Sequence, residues 1–263
     1  MAQLLAGKAA LILGVANRWS LAYAIAQAFH REGAKLILSY QGERLKLTVE
    51  ELAAGFNAES IACDVTKDDD LARLTDELKN QGTVLHSVVH AIAFADREDL
   101  SRPFAQTSRS GFALALDVSA YSLVAVAHAV APLMAAKEQG GGSILTLTYL
   151  GSSRVVQNYN VMGVAKAALE SSVRYLANDL GPSNIRVNAI SAGAVKTAAA
   201  RGIRDFSKML ESAAKVAPLR RNTDPAEVAD TAVFLASDLG RGVTGNILFV
   251  DAGIQIMGFA LPE

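Results

Sequence analysis

Tyr159 and Lys166 place a weak acid and a cation seven residues apart. At about 100° per residue this spacing is about 700°, within about 20° of two helical turns, so both side chains can lie on one helix face. They would be about 10.5 Å apart along the axis. The lysine then cannot touch the phenol oxygen, but it can hold a ligand shared with it and lower the phenol pKa electrostatically. The phenol can stabilise oxyanion charge in a transition state.

Taken alone, the pair is more typical of two unrelated surface residues on a helix. Its position favours chemistry, because it comes just past a predicted fifth strand that ends near Tyr149. The carboxyl ends of the strands carry the ligands and the chemistry in open α/β sheets.

A strand-to-helix turn near the start of the sequence has features of a phosphate site. The first predicted strand ends at Gly14, and a predicted helix begins at Leu21, directly after Ser20. A glycine lets backbone approach a pyrophosphate, a helix N-terminus offers unpaired N–H groups, and Ser20 can cap the helix or donate to phosphate. The spacing does not match G-x-G-x-x-G, so an ordinary turn is an equal alternative.

Three more strand ends favour a dinucleotide. Gln41 follows the second strand, where adenosine ribose is usually recognised, and it can hydrogen-bond the hydroxyls. Arg44 and Lys46 could accept a 2′-phosphate or be solvated cations, and we favour NADH over NADPH by about two to one. Asp64 could accept from the adenine amino group or cap a helix. Ala91-Ile92-Ala93 has small side chains that a flat ring could lie against, or that simply pack.

Short apolar runs alternate with helical patterns along the whole chain. Most strand candidates are continuous apolar runs, as in strands covered on both faces. This alternation predicts an α/β fold, one Rossmann-like, doubly wound parallel sheet with helices on both faces. The predicted strands are Ala9–Leu13, Lys35–Tyr40, Ser60–Cys63, Val84–Ile92, Ser143–Thr148, Arg186–Ile190 and Asn246–Val250. The predicted helices are Leu21–Glu32, Glu43–Gly55, Asp68–Gln81, Gly111–Ala136, Asn160–Leu180 and Pro225–Ala236.

Composition excludes several classes of protein. The 263 residues carry a formal net charge of −1, which argues against a nucleic-acid binder. A single cysteine, Cys63, cannot form an intramolecular disulfide, the start of the sequence does not read as a signal peptide, and we expect a cytoplasmic protein. The four histidines have no metal-ligand spacing, and His128 is expected to be a satisfied core residue. The uncharged run 118–136 could span a bilayer, but a helix buried in the domain or an oligomer is favoured.

Taken together, these residues resemble the enoyl-acyl-carrier-protein reductases of the divergent short-chain dehydrogenase/reductase branch. The common short-chain form has three glycines after the first strand and Tyr-x3-Lys, whereas the divergent form has Gly-x5-Ser and Tyr-x6-Lys with a second tyrosine upstream. This chain has the divergent pattern, with Gly163 where the common lysine would be. The likeness runs from about residue 7 to residue 253. Further stretches that carry it are 149–151, 158–163, 186–193 and 218–221.

The resemblance implies a single domain, 1–263, with about seven strands and a substrate-binding lid at about 194–217. It also implies a homotetramer, with interfaces formed by the long helices around Gly111–Ala136 and Asn160–Leu180. Tyr149, Tyr159 and Lys166 would be catalytic. The implied cofactor contacts are Gly14, Ser20, Leu21, Gln41, Asp64, Val65, Ala91, Ile92, Ala93, Lys166, Val195, Thr197, Ala198 and Ala199. The implied substrate contacts are Phe94, Ala95, Leu100, Tyr149, Tyr159, Met162, Ile203 and Phe206. No metal site is implied.

The implied reaction is hydride transfer from NADH to the β-carbon of a trans-2-enoyl thioester, the last step of the fatty-acid elongation cycle. The substrate would be attached to an acidic acyl carrier protein, for which Arg201, Arg204 and Lys208 could form a basic rim or a solvated helix face. Ala194 replaces a usual proline, which would loosen the start of the lid. A short-chain 3-oxoacyl reductase and a non-catalytic NAD(H)-sensing regulator on the same fold are the alternatives.

Overall fold

The computed structural model of the chain describes residues 3–195 and 206–258, except for the side chain of Phe206. Seven strands lie in this part of the chain: β1 (Ala9–Leu13), β2 (Lys35–Tyr40), β3 (Glu59–Ala62), β4 (Leu85–His90), β5 (Gly142–Thr148), β6 (Ile185–Ala192) and β7 (Ile247–Val250). They form one parallel sheet in the order β3-β2-β1-β4-β5-β6-β7. The predicted fold class and strand number are therefore confirmed, with strand ends that differ by up to two residues.

Helices cover both faces of the sheet, as the apolar strands require. The α-helices of the described residues are α1 (Leu21–Arg31), α2 (Glu43–Ala54), α3 (Asp68–Asn80), α4 (Arg97–Ser101), α5 (Arg109–Leu116), α6 (Ser122–Val130), α7 (Asn160–Leu180), α8 (Phe206–Val216) and α9 (Pro225–Ala236). Ser20 caps α1, accepting a hydrogen bond from the backbone N–H of Tyr23. Asp224 and Glu227 form a capping box at α9, with Pro225 as its first residue.

The core consists of two apolar clusters, one on each face of the sheet. Every residue of β1 is buried, and its side chains alternate between the clusters. Ala10 and Ile12 pack with α1, α2 and α9, whereas Leu11 and Leu13 pack with α3, α6 and α7. The central strands are thus covered on both sides, and their carboxyl ends are the part of the sheet left open to a ligand.

The long helix predicted at Gly111–Ala136 is wrong as one continuous element. The chain forms α5, a π-helical segment at Asp117–Tyr121, α6 and a 3₁₀ turn at Ala131–Leu133. Ser122 donates from Oγ to the carbonyl of Val118, a local bond that competes with regular helix geometry. Pro132 coincides with the end of the α-helix.

The stretch Arg109–Leu133 is long and apolar enough to cross a membrane by length and composition, with a hydropathy of 1.6. It packs by one face, where Leu123, Val126 and Val130 are fully buried, and 44% of its most apolar window is buried. The expectation that this stretch is buried in the domain is therefore confirmed for the face that carries Leu123, Val126 and Val130, and not for the opposite face. His128 lies on the exposed face, so its interpretation as a core residue is wrong.

Candidate active site

A cavity of about 760 Å³ lies at the carboxyl ends of the central strands. The ends of β1, β2, β4 and β5, the start of α1, the first turns of α7 and the exit of β6 contribute to its wall. This is the crevice in which open α/β sheets bind ligands. It brings together all of the predicted site residues that the structure describes with their side chains: Gly14, Ser20, Leu21, Gln41, Asp64, Val65, Ala91, Ile92, Ala93, Phe94, Ala95, Leu100, Tyr149, Tyr159, Met162, Lys166 and Val195.

Gly14 makes a close approach of two strand ends possible. Its φ is +99°, and a Cβ at this position would lie 2.2 Å from the carbonyl oxygen of Ala91. Only glycine fits such a conformation and such a gap. From Gly14 the chain runs along the cavity wall through residues 15–17 to the N-terminus of α1, a geometry suited to a pyrophosphate.

Ser20 is engaged within the protein. Its Oγ accepts from the backbone N–H of Tyr23 at 3.2 Å and donates to the carbonyl of Asn17 at 2.8 Å. The predicted capping role is therefore confirmed. Ser20 also lines the cavity, at the N-terminus of α1.

Asp64 closes the site at the end of β3. It accepts from the backbone N–H and the hydroxyl of Thr66, at 3.1 and 2.8 Å. Burial raises the pKa of this carboxyl, but hydrogen bonds from Thr66 and Gln41 outweigh it, so the pKa lies below its usual value. Asp64 does not cap α3, whose N-cap is Lys67. Its carboxylate is ionised at neutral pH and able to accept hydrogen bonds from a ligand.

Tyr149, Tyr159 and Lys166 meet at the other end of the cavity. Tyr159 is the N-cap of α7 and Lys166 lies in its second turn, so the predicted start of this helix, at Asn160, is confirmed. The rings of Tyr149 and Tyr159 are in edge-to-face contact, with centroids 5.0 Å apart. The Lys166 ammonium donates to the carbonyl oxygen of Leu147 at 2.8 Å. The Tyr149 hydroxyl lies 3.9 Å from the sulfur of Met209.

Burial, rather than charge, controls the acidity of these groups. It raises the pKa of the Tyr159 phenol well above its usual value, and Tyr149 and Glu170 raise it further. The phenol pKa is therefore raised overall, and not lowered as predicted from Lys166 in the sequence. Burial also lowers the pKa of Lys166 to about 8. At neutral pH the phenol is a donor and the lysine is mostly a cation.

The predicted acyl-pocket residues lie beside the tyrosines. Leu100, Met162 and Tyr159 belong to one apolar cluster, and Phe94 is half exposed at the cavity mouth. The remaining predicted contacts lie outside the described residues: Thr197, Ala198, Ala199, Ile203 and the side chain of Phe206, as do Arg201 and Arg204 of the basic rim. Lys208 is exposed on α8.

Two serines and a histidine beneath the site were missed by sequence reasoning. Ser119, fully buried, accepts from the Phe94 N–H at 2.9 Å and donates to the Phe94 carbonyl at 3.0 Å. His90 is bound between Thr146 and Ser122, and burial lowers its pKa to about 3. The available signal was the pair of serines inside an otherwise apolar helix. Among the described residues no group of three or more potential metal ligands occurs.

Known proteins are similar to this chain over nearly its whole length. The family model for enoyl-(acyl carrier protein) reductase matches residues 14–255. The NADH-dependent enoyl-acyl-carrier-protein reductase FabI of Bacillus cereus is 52% identical, covering 97% of this chain and 100% of that protein. A Bacillus cereus enoyl-acyl carrier protein reductase crystal structure, with NADP+ and indole naphthyridinone, superposes with a TM-score of 0.94 at 52% identity, covering 98% and 100% of the two chains.

A second similar solved structure is a complex with NAD, whereas the first contains NADP+. The enoyl-acyl-carrier-protein reductase of Anaplasma phagocytophilum, in complex with NAD, has a TM-score of 0.92 and 42% identity, covering 98% of this chain and 96% of that one. The family model spans far more than half of the sequence, and the fold agrees over almost its full length. This chain therefore belongs to the enoyl-acyl-carrier-protein reductase family.

Proposed function

We propose that Tyr149, Tyr159 and Lys166 carry out the NADH-dependent reduction of a trans-2-enoyl thioester, the final step of the fatty-acid elongation cycle. One observation carries the proposal. The two tyrosines and the buried ammonium line the same cavity as the Gly14 turn and Asp64, so a donor and an acceptor of hydride would meet between them.

The nucleotide end fits a dinucleotide. Gly14 lets the ends of β1 and β4 approach closely at the cavity, which extends to the N-terminus of α1, and a carboxylate and an amide, Asp64 and Gln41, stand at neighbouring strand ends. Lys46 is in an exposed ion pair of its own helix turn, with its Nζ 3.7 Å from Oε2 of Glu43. The similarity to an NADH-dependent reductase supports NADH over NADPH. When bound, the reduced nicotinamide supplies the hydride. Lys166 would hold its ribose.

Tyr159 would act on the thioester oxygen. Its raised pKa keeps the phenol protonated, so its O–H can donate to the negative charge that develops on this oxygen as the β-carbon is reduced. Tyr149, in contact with the Tyr159 ring, would orient the thioester. The apolar wall of Leu100 and Met162 would accept the acyl chain and exclude water.

The lid, the carrier and the assembly extend this proposal. We place a lid at about 194–217 in a single domain, because α8 brings Met209 against Tyr149 at the cavity wall. The acyl chain would be presented by acyl carrier protein, for which Lys208, exposed on α8, would contribute to a basic rim. The protein would be a cytoplasmic homotetramer that binds neither nucleic acid nor membrane.

The proposal is tested by following the absorbance of NADH or NADPH with crotonyl-coenzyme A and a carrier-linked enoyl substrate. In Tyr159→Phe, kcat is expected to fall by a factor of about 10²–10³, because one hydrogen-bond donor to the oxyanion is lost. Tyr175→Phe is the matched control, since Tyr175 is an exposed tyrosine of the same helix.

Turnover of a 3-oxoacyl thioester instead of the enoyl thioester would contradict the proposal and favour a carbonyl reductase. Tight cofactor binding without turnover of any of these substrates would favour the regulator. Equal activity of Tyr159→Phe and wild type would remove Tyr159 from the mechanism.

A further inference from the structure

Glu170 lies one helical turn beyond Lys166 on α7, half-buried beneath the cavity. Its Oε1 accepts a hydrogen bond of 2.7 Å from the Thr148 hydroxyl. Thr148 is the last residue of β5, and the chain continues directly into Tyr149. This carboxylate therefore joins the helix of Tyr159 and Lys166 to the strand end that carries Tyr149.

Two neighbouring residues of β5 hold opposite charges on α7. The Leu147 carbonyl accepts from the Lys166 ammonium, and the Thr148 hydroxyl donates to Glu170. Residues four apart on a helix have Cβ atoms about 5–6 Å apart. An anion is thus fixed next to a cation that is only 5% exposed.

The other groups around Lys166 do not supply this negative charge. His90 faces it from β4, buried and neutral, with its ring nitrogens bound to Thr146 and Ser122. Tyr149 and Tyr159 line the same cavity as Lys166, and burial raises the pKa of both phenols, which are therefore uncharged at neutral pH. Asp251 acts on Tyr149 from beyond β7. Burial lowers the pKa of Lys166 to about 8, and Glu170 opposes this shift.

We propose that Glu170 is a positioning residue, which keeps the Lys166 ammonium charged and fixes its helix turn against the end of β5. The inference rests on the proposed function, because it assumes that a charged Lys166 holds the cofactor. It also assigns a use to a half-buried carboxylate that the reaction itself does not require.

The test is Glu170→Gln, which retains an acceptor for Thr148 and removes the charge. Without the carboxylate the Lys166 pKa is expected to fall, so the ammonium is lost at lower pH. The alkaline limb of kcat/KM should move to lower pH by about one unit. The Kd of NADH, measured by fluorescence without substrate, should begin to rise at a correspondingly lower pH. Glu170→Asp keeps the negative charge, so its pH profiles are expected to lie between those of Glu170→Gln and wild type.

Asp179→Asn is the matched control, since it removes an exposed carboxylate from the same helix, about 20 Å from Lys166 along the helix axis. It should leave both pH profiles unchanged. Profiles of Glu170→Gln that coincide with wild type would overturn the inference, whatever its thermal stability. If wild type binds NADH but reduces no substrate, the proposed function fails, and the pH dependence of the Kd still decides the role of Glu170.

Discussion

The Tyr159 ring owes its position to two residues that lack side chains. A Cβ at Gly151 would lie 2.4 Å from Cδ1 of Tyr159, and a Cβ at Gly163 would lie 2.7 Å from the carbonyl oxygen of Gly151. Gly163 is also the position at which the common short-chain pattern has its lysine. A lysine there would clash with backbone in this chain, so the cation must come from the next turn, at Lys166.

Gly151→Ala is expected to lower kcat by about 100-fold, because the added methyl forces the Tyr159 ring to move and small displacements of a reacting group are costly. The Kd of NADH should change little. Steady-state kinetics and cofactor titration check both expectations.

Gly181→Ala is the control for Gly151→Ala. Gly181 lies at the far end of α7, where a Cβ would meet no atom within 4 Å. A kcat of Gly151→Ala close to the wild-type value would mean that Tyr159 does not need this exact position.

For single residues, spacing predicted which side chains meet but not their acidity. The period of a helix is local, so Tyr159 and Lys166 could be placed on one face from the sequence. The pKa of Tyr159 depends on how deeply the fold buries it and on Glu170, which is bound to a strand distant in sequence. No local pattern contains that information.

The segment that runs from the end of β4 through α4 is held at two points by other elements. Ser119, in the π-helical segment, binds both backbone groups of Phe94. Asn160, the first residue of α7, donates from Nδ2 to the carbonyls of Leu100 and Arg102, at 3.2 and 2.8 Å. One wall of the acyl pocket is thereby attached to the helix that carries Lys166.

Ser119→Ala is expected to raise the KM of the enoyl substrate several-fold and to lower the free energy of unfolding by about 1–3 kcal/mol. The substitution leaves the Phe94 N–H without its buried acceptor. Kinetics and chemical denaturation measure the two effects.

Ser172→Ala serves as the comparison, because Ser172 donates only within α7, to the carbonyl of Ala168. An unchanged KM in Ser119→Ala would show that Phe94 is held by other contacts.

Elements with strong end signals were predicted well and the interrupted helix was not. The predicted bounds of β1, β2, α7 and α9 are confirmed to the residue. Between residues 111 and 136 the sequence is apolar and rich in alanine, so its periodicity contains no sign of the π-helical segment. Within that segment Ser119 is hydrogen-bonded to Phe94, a residue distant in sequence, and no local pattern contains this contact.

An apolar outer surface is left on α7 and on the π-helical segment that precedes α6. We define this face by the exposed side chains of Tyr121, Val164 and Tyr175. Val164 and Tyr175 are eleven residues apart, about 1100° of helix, and therefore lie on one side. The resemblance to the family predicted an interface here, and the exposed half of Arg109–Leu133 provides the surface for it. Sequence pattern alone could not separate this face from a buried one, because both are apolar.

Tyr175→Glu is expected to dissociate the proposed tetramer at micromolar concentration, because it places a charge in an apolar interface at four symmetry-related sites. Wild type should sediment with four times the 27.6 kDa of one chain, and the variant with less. Leu47→Glu is the control, since Leu47 is 78% exposed on α2, a helix that packs with β2 and β3 at the far edge of the sheet. A wild-type mass of one chain would refute the tetramer. An unchanged mass in Tyr175→Glu, with folding intact by circular dichroism, would place the interface elsewhere on the molecule.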